Sequence, residues 1–544
     1  MRRPGMPANS DSARLAAPGC ASNFSVLAVS KGLSTHIPVE IWMAIFEMHA
    51  SICWKDRAPD LDANKTDIKR LMAAHHPLML VCRVWRDIAV ATPSLWTVVA
   101  FHLGPQPESL AVKHAYPVIA RQLERSKGFG LEGGLSATFN GTDLLDLKSY
   151  TPALELLFSA SARFVSLFLT DVYALRSRGP GPGAALQRLH LPTNFPRLQR
   201  LSFIQEGGAF AKPSGDAPFW NAVQRAPTLR YFRMSRVEDI SVPLGVLDDL
   251  DASTARCLLW NLSRAECRVQ NAELLPGPPS IQTYEPQSNA TLKRLTVDGR
   301  NDDAVMLLTQ FNPSALVQLR IHNFDGDVWT EAHNGRLVLP VILATNYASI
   351  QHLALHAIDY SKDAYEAGLK AVLQGLPLIR ILDVSDCFRD GLGDYGEGVV
   401  LNQFPLHVLS TLRPPDDADA KDHDPTTLQP PAPSQLPLPL LERLTYRVEP
   451  RIFEHRGMQF PGWMKDAFVR DSYTMTLRAV LEVVSARMRM RNEAGGGGDR
   501  GREGHWKAVD VYGLDAELRA GTAKWFAGEV EKTEKEFGVR LRRM

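Results

Sequence analysis

The apolar positions near the start of the chain follow the spacing of α-helices. Four of them share one helical face, at intervals of four, four and three residues: Ile37, Ile41, Ile45 and Met48. Pro38 suits the first turn of this helix, because the amides of a first turn have no partner within the helix. Glu40 follows two residues later, where a carboxylate meets those amides and the positive end of the helix dipole.

A second helix is predicted from Pro77 onward, and it ends at Thr92-Pro93. Its apolar residues also recur at helical spacing: Leu78, Val81, Trp85 and Ile88. Two large apolar residues, Leu95 and Trp96, follow the end of this helix. A segment of about 60 residues is at the lower limit for a stable core of its own. Two or three short helices with this much apolar surface therefore indicate that another protein covers part of it.

The order of these elements resembles the F-box, the adaptor-docking module of SCF-type ubiquitin ligases. The resemblance is carried by Ile37-Pro38-Val39-Glu40-Ile41, Ile45-Phe46, Val81-Cys82-Arg83-Val84-Trp85-Arg86 and Leu95-Trp96. The chain departs from the motif where Ile37 replaces the usual leucine, and where an insertion at residues 50–75 separates the two halves. The alternative is an ordinary helical hairpin that belongs to a larger core.

The resemblance implies a Skp-type adaptor as a partner and, through that adaptor, a cullin. Ten residues would supply the F-box core and its adaptor-binding face: Ile37, Pro38, Ile41, Ile45, Phe46, Leu80, Val81, Trp85, Leu95 and Trp96. The sequence does not divide these residues between the two roles.

From residue 164 onward the chain repeats one pattern: apolar, two residues, apolar, one residue, apolar. Clear copies are Phe164/Leu167/Leu169, Leu198/Leu201/Phe203, Leu229/Phe232/Met234, Leu292/Leu295/Val297, Leu316/Leu319/Ile321, Ile350/Leu353/Leu355 and Ile379/Leu382/Val384. Later copies are Leu441/Leu444/Tyr446 and Trp506/Val509/Val511, and Ala255/Leu258/Trp260 is a degenerate one. Most successive copies lie between 24 and 37 residues apart. One strand and one helix cannot close a core alone, so such units are expected to stack.

The pattern resembles the strand segment of leucine-rich repeats, without the regular Asn or Cys position that follows the strand in that family. The predicted fold class is therefore α/β: an N-terminal helical F-box followed by an irregular leucine-rich-repeat-like α/β solenoid. The alternative is a set of ordinary α/β units around a flat sheet. In a solenoid, the strand residues between the apolar positions face the concave surface. Six such residues, predicted on strands, are the candidates for binding a target protein: Arg294, Gln318, Arg320, Gln351, His352 and Arg380.

Composition and helical spacing divide the chain into four regions: a disordered tail at 1–32, the F-box at 33–103, a helix-and-strand connector at 104–163 and the repeat domain at 164–544. The connector is predicted to hold a helix with Val112 and Ile119, a strand at 135–139 and a helix at 151–162. Within the repeat domain we predict a disordered insertion at 413–439, a glycine-rich linker at 493–504, and helices at 473–491 and 514–537.

Charge and cysteine content exclude several classes of function. The net charge of +1 over 544 residues does not indicate the excess of positive charge that binding to nucleic acid or to a membrane surface requires. The six cysteines include no C-x-x-C pair, which favours free thiols and a cytoplasmic or nuclear protein.

No pattern in the chain indicates an enzyme, a cofactor or a metal site. Residues 391–396 match G-x-G-x-x-G but do not join a strand directly to a helix, so we interpret them as a loop. His352 and His356 are predicted on a strand, as a solvent-facing pair without a third ligand. Asp248-Asp249-Leu250-Asp251 and Asp416-Asp417 are interpreted as solvated loops.

The resemblance to the F-box therefore implies the target-recognition subunit of an SCF-type ubiquitin ligase. Two alternatives remain open: an F-box scaffold that works without ubiquitin transfer, and an enzyme hidden in the repeat domain.

Overall fold

The structure is a computed structural model. It describes residues 37–55, 76–103, 110–137, 147–170, 194–204, 218–234, 245–264, 266–275, 287–299, 303–323, 339–356, 372–385, 388–389, 400–401, 440–447, 479–483, 508–512 and 540–543, and residues 408, 412, 438, 486, 528, 531 and 535. The chain divides into two compact units. The helical unit holds the described residues up to Trp96 together with Arg125–Lys127, and the sheet unit holds the others.

The helical unit contains α1 (Val39–Lys55), α2 (His76–Val81), α3 (Arg83–Ala91) and a 3-10 helix at Pro93–Trp96. The sequence predicted one continuous helix from Pro77 to Thr92. This prediction is wrong in one respect, because the helix is interrupted at Cys82. The Cys82 side chain accepts a hydrogen bond from the Trp85 amide at 3.4 Å and so caps α3. As predicted, α3 ends before Thr92, whose hydroxyl donates to the Ile88 carbonyl oxygen at 2.7 Å.

The core of the helical unit is small and aromatic. Among the described residues, five buried hydrophobic side chains form it: Phe46, Ile88, Ala89, Leu95 and Trp96. Trp85 packs against this core and lies between two rings of α1, with ring centroids 4.7 Å from Trp42 and 5.1 Å from Phe46. The Trp96 indole N–H donates to the Ala89 carbonyl oxygen at 2.9 Å, which ties the 3-10 helix to α3.

In the part of the chain that the structure describes, the sheet unit is mixed α/β and is built on one large parallel sheet of 14 strands. These strands are β1 (Val98–Leu103), β2 (Leu131–Ala137), β3 (Phe164–Thr170), β4 (Arg200–Ile204), β5 (Tyr231–Met234), β6 (Asp249–Ala252), β7 (Asn271–Leu274), β9 (Arg294–Asp298), β11 (Gln318–His322), β12 (His352–His356), β13 (Ile381–Ser385), β16 (Arg443–Arg447), β17 (Ala508–Tyr512) and β18 (Arg540–Arg543). Their order across the sheet is their order along the chain.

The other described elements of this unit are helices and small sheets. Helices are α4 (Leu110–Arg125), α5 (Leu147–Ser159), α6 (Pro218–Gln224), α7 (Ala255–Leu262), α8 (Ala304–Gln310) and α9 (Leu339–Asn346), with a 3-10 helix at Ser161–Arg163. Two small sheets pair β8 (Gln287–Asn289) with β10 (Phe311–Pro313) and β14 (Phe388–Arg389) with β15 (Val400–Leu401).

Each clear copy of the repeated pattern ends in a strand of the large sheet, as predicted. The register keeps equivalent apolar residues side by side, so that Leu295, Leu319, Leu353, Leu382 and Leu444 occupy neighbouring positions. All five are buried in one continuous core. Side chains alternate between the two faces of a strand, so one face carries the leucines and the other carries the polar residues.

The degenerate copy predicted at Ala255/Leu258/Trp260 is wrong, because these residues form helix α7. The strands in this part of the chain are β6 and β7, which the sequence reading missed. Both carry the repeated spacing with alanine at one apolar position: Leu247/Leu250/Ala252 and Val269/Ala272/Leu274. The repeated spacing therefore predicts β6 and β7 once alanine is counted among the apolar residues.

The sheet also extends beyond the predicted repeats, through β1 and β2 at one edge and β18 at the other. The predicted helix with Val112 and Ile119 is confirmed as α4, and the helix predicted at 151–162 begins earlier, as α5. Of the late helices, residues 479–483 and residues 528, 531 and 535 are helical. The tail at 1–32, the linker at 493–504, residues 391–396 and Asp416-Asp417 lie outside the described residues, as does the insertion at 413–439 except Leu438.

Candidate functional site

The helical unit leaves much of its apolar surface uncovered. Seven of the thirteen large hydrophobic side chains that are exposed in the described part of the chain belong to it: Val39, Ile41, Ile45, Met48, Leu80, Val81 and Val84. Their exposed fractions range from 42% to 78%. Single exposed apolar residues are normal on a soluble protein, whereas a concentration of them marks an interaction surface. We call these seven residues the exposed apolar set.

The helix α1 shows how this exposure arises. The stripe that the sequence singled out, with Ile41, Ile45 and Met48, is exposed, while the neighbouring stripe with Trp42 and Phe46 packs into the core. The rings of Trp42, Phe46 and Trp85 fill the space between α1 and α3, and among the described residues the aliphatic stripe next to them stays exposed.

The ten residues predicted for the F-box separate into three groups. Four belong to the core of the helical unit or pack against it: Phe46, Trp85, Leu95 and Trp96. Five are exposed: Pro38, Ile41, Ile45, Leu80 and Val81. Ile37 is half-buried. The exposed group therefore lies at the surface, and the core group packs α1, α3 and the 3-10 helix together.

On the sheet unit, polar residues line the face opposite the leucines, which we call the polar face. One row of it runs through Glu132, Ser166, Arg200, Tyr231, Asp249, Asn271, Arg294, Gln318 and His352. A second row, two residues further along the strands, includes Arg233, Asp251, Glu273, Thr296, Arg320, Ala354 and Asp383. The register brings these side chains together from widely separated parts of the sequence.

An acidic cluster occupies β6 and β7 on this face. The Tyr231 hydroxyl donates to Asp251 Oδ2 at 2.6 Å, and the Asn271 amide donates to Asp249 Oδ1 at 2.6 Å. Burial, and then the nearby Glu273 carboxylate, raises the pKa of Asp251 to about 7. The interpretation of Asp248-Asp249-Leu250-Asp251 as a solvated loop is therefore wrong, because the last three form β6 and Asp251 points into a cluster.

Glu132 on β2 is a second carboxyl group with an unusual proton affinity. Burial raises its pKa to about 7, opposed by the guanidinium of Arg200. Its Oε2 is buried without a hydrogen-bond partner, and Arg200 itself lies over the Tyr231 ring, 5.0 Å from the centroid. A proton on Glu132 removes the cost of a buried charge.

A second polar cluster lies around Ala354 on β12. Arg320 on β11 and Asp383 on β13 flank Ala354 in register, and His352 and His356 lie two residues before and after it. His356 Nε2 is 3.2 Å from Asp383 Oδ1. The sequence correctly placed the two histidines on a strand opposite the leucines, but the prediction that both face solvent is wrong, because His356 is buried.

No protein-family model matches this chain, and no curated protein matches it. The exposed apolar set and the polar face are therefore the features from which a function is inferred.

The six residues predicted to bind a target have different places in the structure. Arg294, Gln318 and His352 are neighbours in one row of the polar face, and Arg320 lies in the next row. Gln351 and Arg380 lie one residue before β12 and β13, so the prediction that they are strand residues is wrong. The Arg380 guanidinium instead pairs with Glu442 at 3.2 Å.

Two further findings concern metal ligands and membrane-spanning helices. Within the described ranges, no group of three or more His, Cys, Asp or Glu side chains could hold a metal ion. Also within those ranges, no helix combines the length and the apolar character that crossing a membrane requires.

Proposed function

We propose that this protein is the target-recognition subunit of an SCF-type ubiquitin ligase, which docks a Skp-type adaptor through an F-box and holds a target protein on its repeat domain. The observation that carries this proposal is the exposed apolar set of the helical unit. It includes Ile41, Ile45 and Val81, which also carry the resemblance to the F-box. The protein supplies proximity between a target and the ubiquitin-transfer machinery, and it needs no catalytic residue for this role.

An adaptor would stabilise its complex by covering the exposed apolar set. Full burial of one large aliphatic side chain contributes about 1.5–3 kcal/mol, and residues at the centre of an interface contribute about 2 kcal/mol or more. Within the described residues of the helical unit, five hydrophobic side chains form the buried core and the exposed apolar set lies outside it, so a second protein would be the natural cover for this set.

For the repeat domain we infer an irregular leucine-rich-repeat-like solenoid. Support comes from the strand order, which follows the chain, and from the register that aligns equivalent leucines from β9 to β16. The repeats would differ in length, because unequal numbers of residues separate successive copies of the pattern. The polar face would then be the target-binding surface, with Arg294, Gln318, Arg320 and His352 in two adjacent rows.

The test of adaptor docking uses the full chain with the double substitution Ile45→Ser and Val81→Ser. Both side chains are exposed, so the fold should tolerate the change. A loss of about 2 kcal/mol at either position would weaken adaptor binding roughly thirtyfold. Co-purification of a Skp-type adaptor and a cullin is the measurement. Trp260→Ser, at an exposed apolar residue of the sheet unit, is the matched control and should leave co-purification unchanged.

The choice of residues matters, because Trp85→Ala would remove a ring from the core of the helical unit and abolish binding by unfolding it. Retention of the adaptor by the Ile45→Ser, Val81→Ser variant at wild-type affinity would refute the docking proposal. Recovery of adaptor without cullin from the wild-type protein would instead favour a scaffold that acts without ubiquitin transfer.

A further inference from the structure

The break between α2 and α3 separates one apolar residue from the stripe to which its spacing assigns it. At helical spacing, one face of a continuous helix would carry Leu78, Val81, Trp85 and Ile88. In the structure, Leu78 and Trp85 pack against the core of the helical unit and Ile88 is buried in it, whereas Val81 is 54% exposed. Val81 is the last residue of α2, and Cys82 lies between it and α3. The break therefore places Val81 at the surface.

No residue of the segment imposes this break through its backbone. Sharp kinks in helices occur mostly at proline or at glycine and serine pairs, and none of these residues occurs between Leu78 and Ala91. Cys82 nevertheless has extended backbone angles, with φ −159° and ψ 171°. Any residue adopts these angles without strain. The broken form is therefore favoured by contacts of side chains and not by a helix-breaking residue.

Two side-chain hydrogen bonds take the place of the backbone bonds that the break removes. In a continuous helix the Met79 carbonyl oxygen would accept from the Arg83 amide, and the Trp85 amide would donate to the Val81 carbonyl oxygen. In the structure, Arg86 Nε donates to the Met79 carbonyl oxygen at 3.2 Å. The Trp85 amide donates to Cys82 Sγ at 3.4 Å. Arg86 thus ties α3 back to α2, and Cys82 begins α3.

We propose that Cys82 and Arg86 are positioning residues for the adaptor-docking surface. Their hydrogen bonds hold the break, and the break keeps Val81 exposed beside Leu80 and Val84, which are 78% and 49% exposed. The inference rests on the proposed function, because it takes the exposed apolar set to be the surface that an adaptor covers. Neither positioning residue needs to contact the adaptor, since each acts through the place of Val81.

Two substitutions at Cys82 in the full-length protein test the cap. Cys82→Ser keeps a side-chain acceptor, because serine is a preferred residue at the start of a helix, and it should bind a purified Skp-type adaptor as the wild-type protein does. Cys82→Ala removes the acceptor and introduces a strong helix former. We expect this variant to form a continuous helix that turns Val81 inward, and to bind the adaptor at least tenfold more weakly.

A substitution at Arg86 tests the tie between the helices. Arg86→Met keeps a long apolar side chain and removes the donor to the Met79 carbonyl oxygen. It should weaken adaptor binding at least threefold, because α2 loses its bond to α3. Arg121→Met is the matched control: it removes an exposed arginine from α4, in the sheet unit, and should leave adaptor binding unchanged.

Amide hydrogen exchange tests the break without an adaptor. The Arg83 and Val84 amides lie in the first turn of α3 and have no acceptor within that helix, whereas in a continuous helix they would donate to the Met79 and Leu80 carbonyl oxygens. Exchange of these two amides should slow at least tenfold in Cys82→Ala and stay unchanged in Cys82→Ser. Exchange in α1 should be equal in both variants, which shows that the core is kept.

Three results would overturn the inference: equal adaptor affinity of Cys82→Ala and Cys82→Ser, equal exchange of the Arg83 and Val84 amides in those two variants, or loss of α1 protection in Cys82→Ala. Equal weakening by Arg86→Met and Arg121→Met would remove Arg86 from it. A wild-type protein that binds no adaptor refutes the proposed function and the docking role with it. A difference in exchange that persists in that case still assigns the break to Cys82, so the two failures are distinguishable.

Discussion

Replacing Asp251 with asparagine should stabilise the strands β5 to β7 at pH 8 and have much less effect at pH 5. Burial raises the pKa of Asp251 from 3.8 to about 7. In the unfolded chain the carboxyl group ionises near pH 4, whereas in the folded protein it keeps its proton until about pH 7. The folded state therefore loses stability as the pH rises between these two values, and the loss is complete above pH 7.

The magnitude follows from the size of the shift. The difference is about 3 pKa units, and each unit corresponds to about 1.4 kcal/mol, which gives roughly 4 kcal/mol at pH 8. About 2–3 kcal/mol of this develops between pH 5 and pH 8 by the same relation. Asparagine cannot ionise, and its side-chain oxygen can still accept the hydrogen bond from Tyr231. The advantage of Asp251→Asn over the wild-type protein should therefore grow with pH by this amount.

Amide hydrogen exchange is the suitable assay, because it reports local opening in a chain that has more than one unit. Peptides covering β5, β6 and β7 are compared at pH 5 and pH 8, after correction for the intrinsic exchange rate. Asp248→Asn is the matched control, because Asp248 is half-exposed and forms only a long ion pair with Arg230, at 3.9 Å. The control should show less than about 1 kcal/mol of change. Equal pH dependence in the two variants, or weaker protection of β6 in Asp251→Asn at pH 8, would refute the reasoning.

Four other substitutions test the packing of the two units. Glu132→Gln should increase the exchange protection of β2 at pH 8 by about 3 kcal/mol and less at pH 5, because burial raises the pKa of Glu132 from 4.5 to about 7. Gly133→Ala should lower the free energy of unfolding of the sheet unit by about 1–3 kcal/mol, measured by urea unfolding, since its Cβ would lie 2.6 Å from the Phe164 ring. Tyr347→Phe should cost about 1–3 kcal/mol in thermal unfolding, because the buried hydroxyl donates to two backbone carbonyl oxygens at 3.1 and 3.2 Å. Trp85→Ala should cost the helical unit about 3 kcal/mol, measured as faster exchange in α1, because it removes a ring that contacts two others.

The strands of the large sheet were largely predictable, because their signal is local. Alternation of apolar and polar residues over five positions is visible in any short window, and Leu295/Val297 and Leu319/Ile321 show it clearly. The prediction failed at β6 and β7, where alanine replaces a larger residue and the apolar helix α7 lies between the two strands. Alanine is too common to count as an apolar signal, although its small side chain is buried there as completely as leucine.

The clusters on the polar face were not predictable in the same way. Tyr231 and Asp251 are 20 residues apart and meet through the register of two parallel strands, and Arg320 and Asp383 meet around Ala354 across three strands. No spacing within the chain indicates such a contact. The raised pKa of Asp251 has the same origin, because burial and a neighbouring carboxylate are properties of the packed sheet.

The amino-acid sequence by itself determined the two kinds of element, because helical and strand periodicity are read from consecutive residues. It also determined which segment carries the F-box resemblance. Only the tertiary structure decided that Phe46 and Trp96 face inward while Ile41 and Val81 stay exposed. The physical reason is that both groups are apolar at helical spacing, and burial depends on which helix faces meet. Which faces meet depends on α1, α3 and the 3-10 helix together, and no single segment determines it.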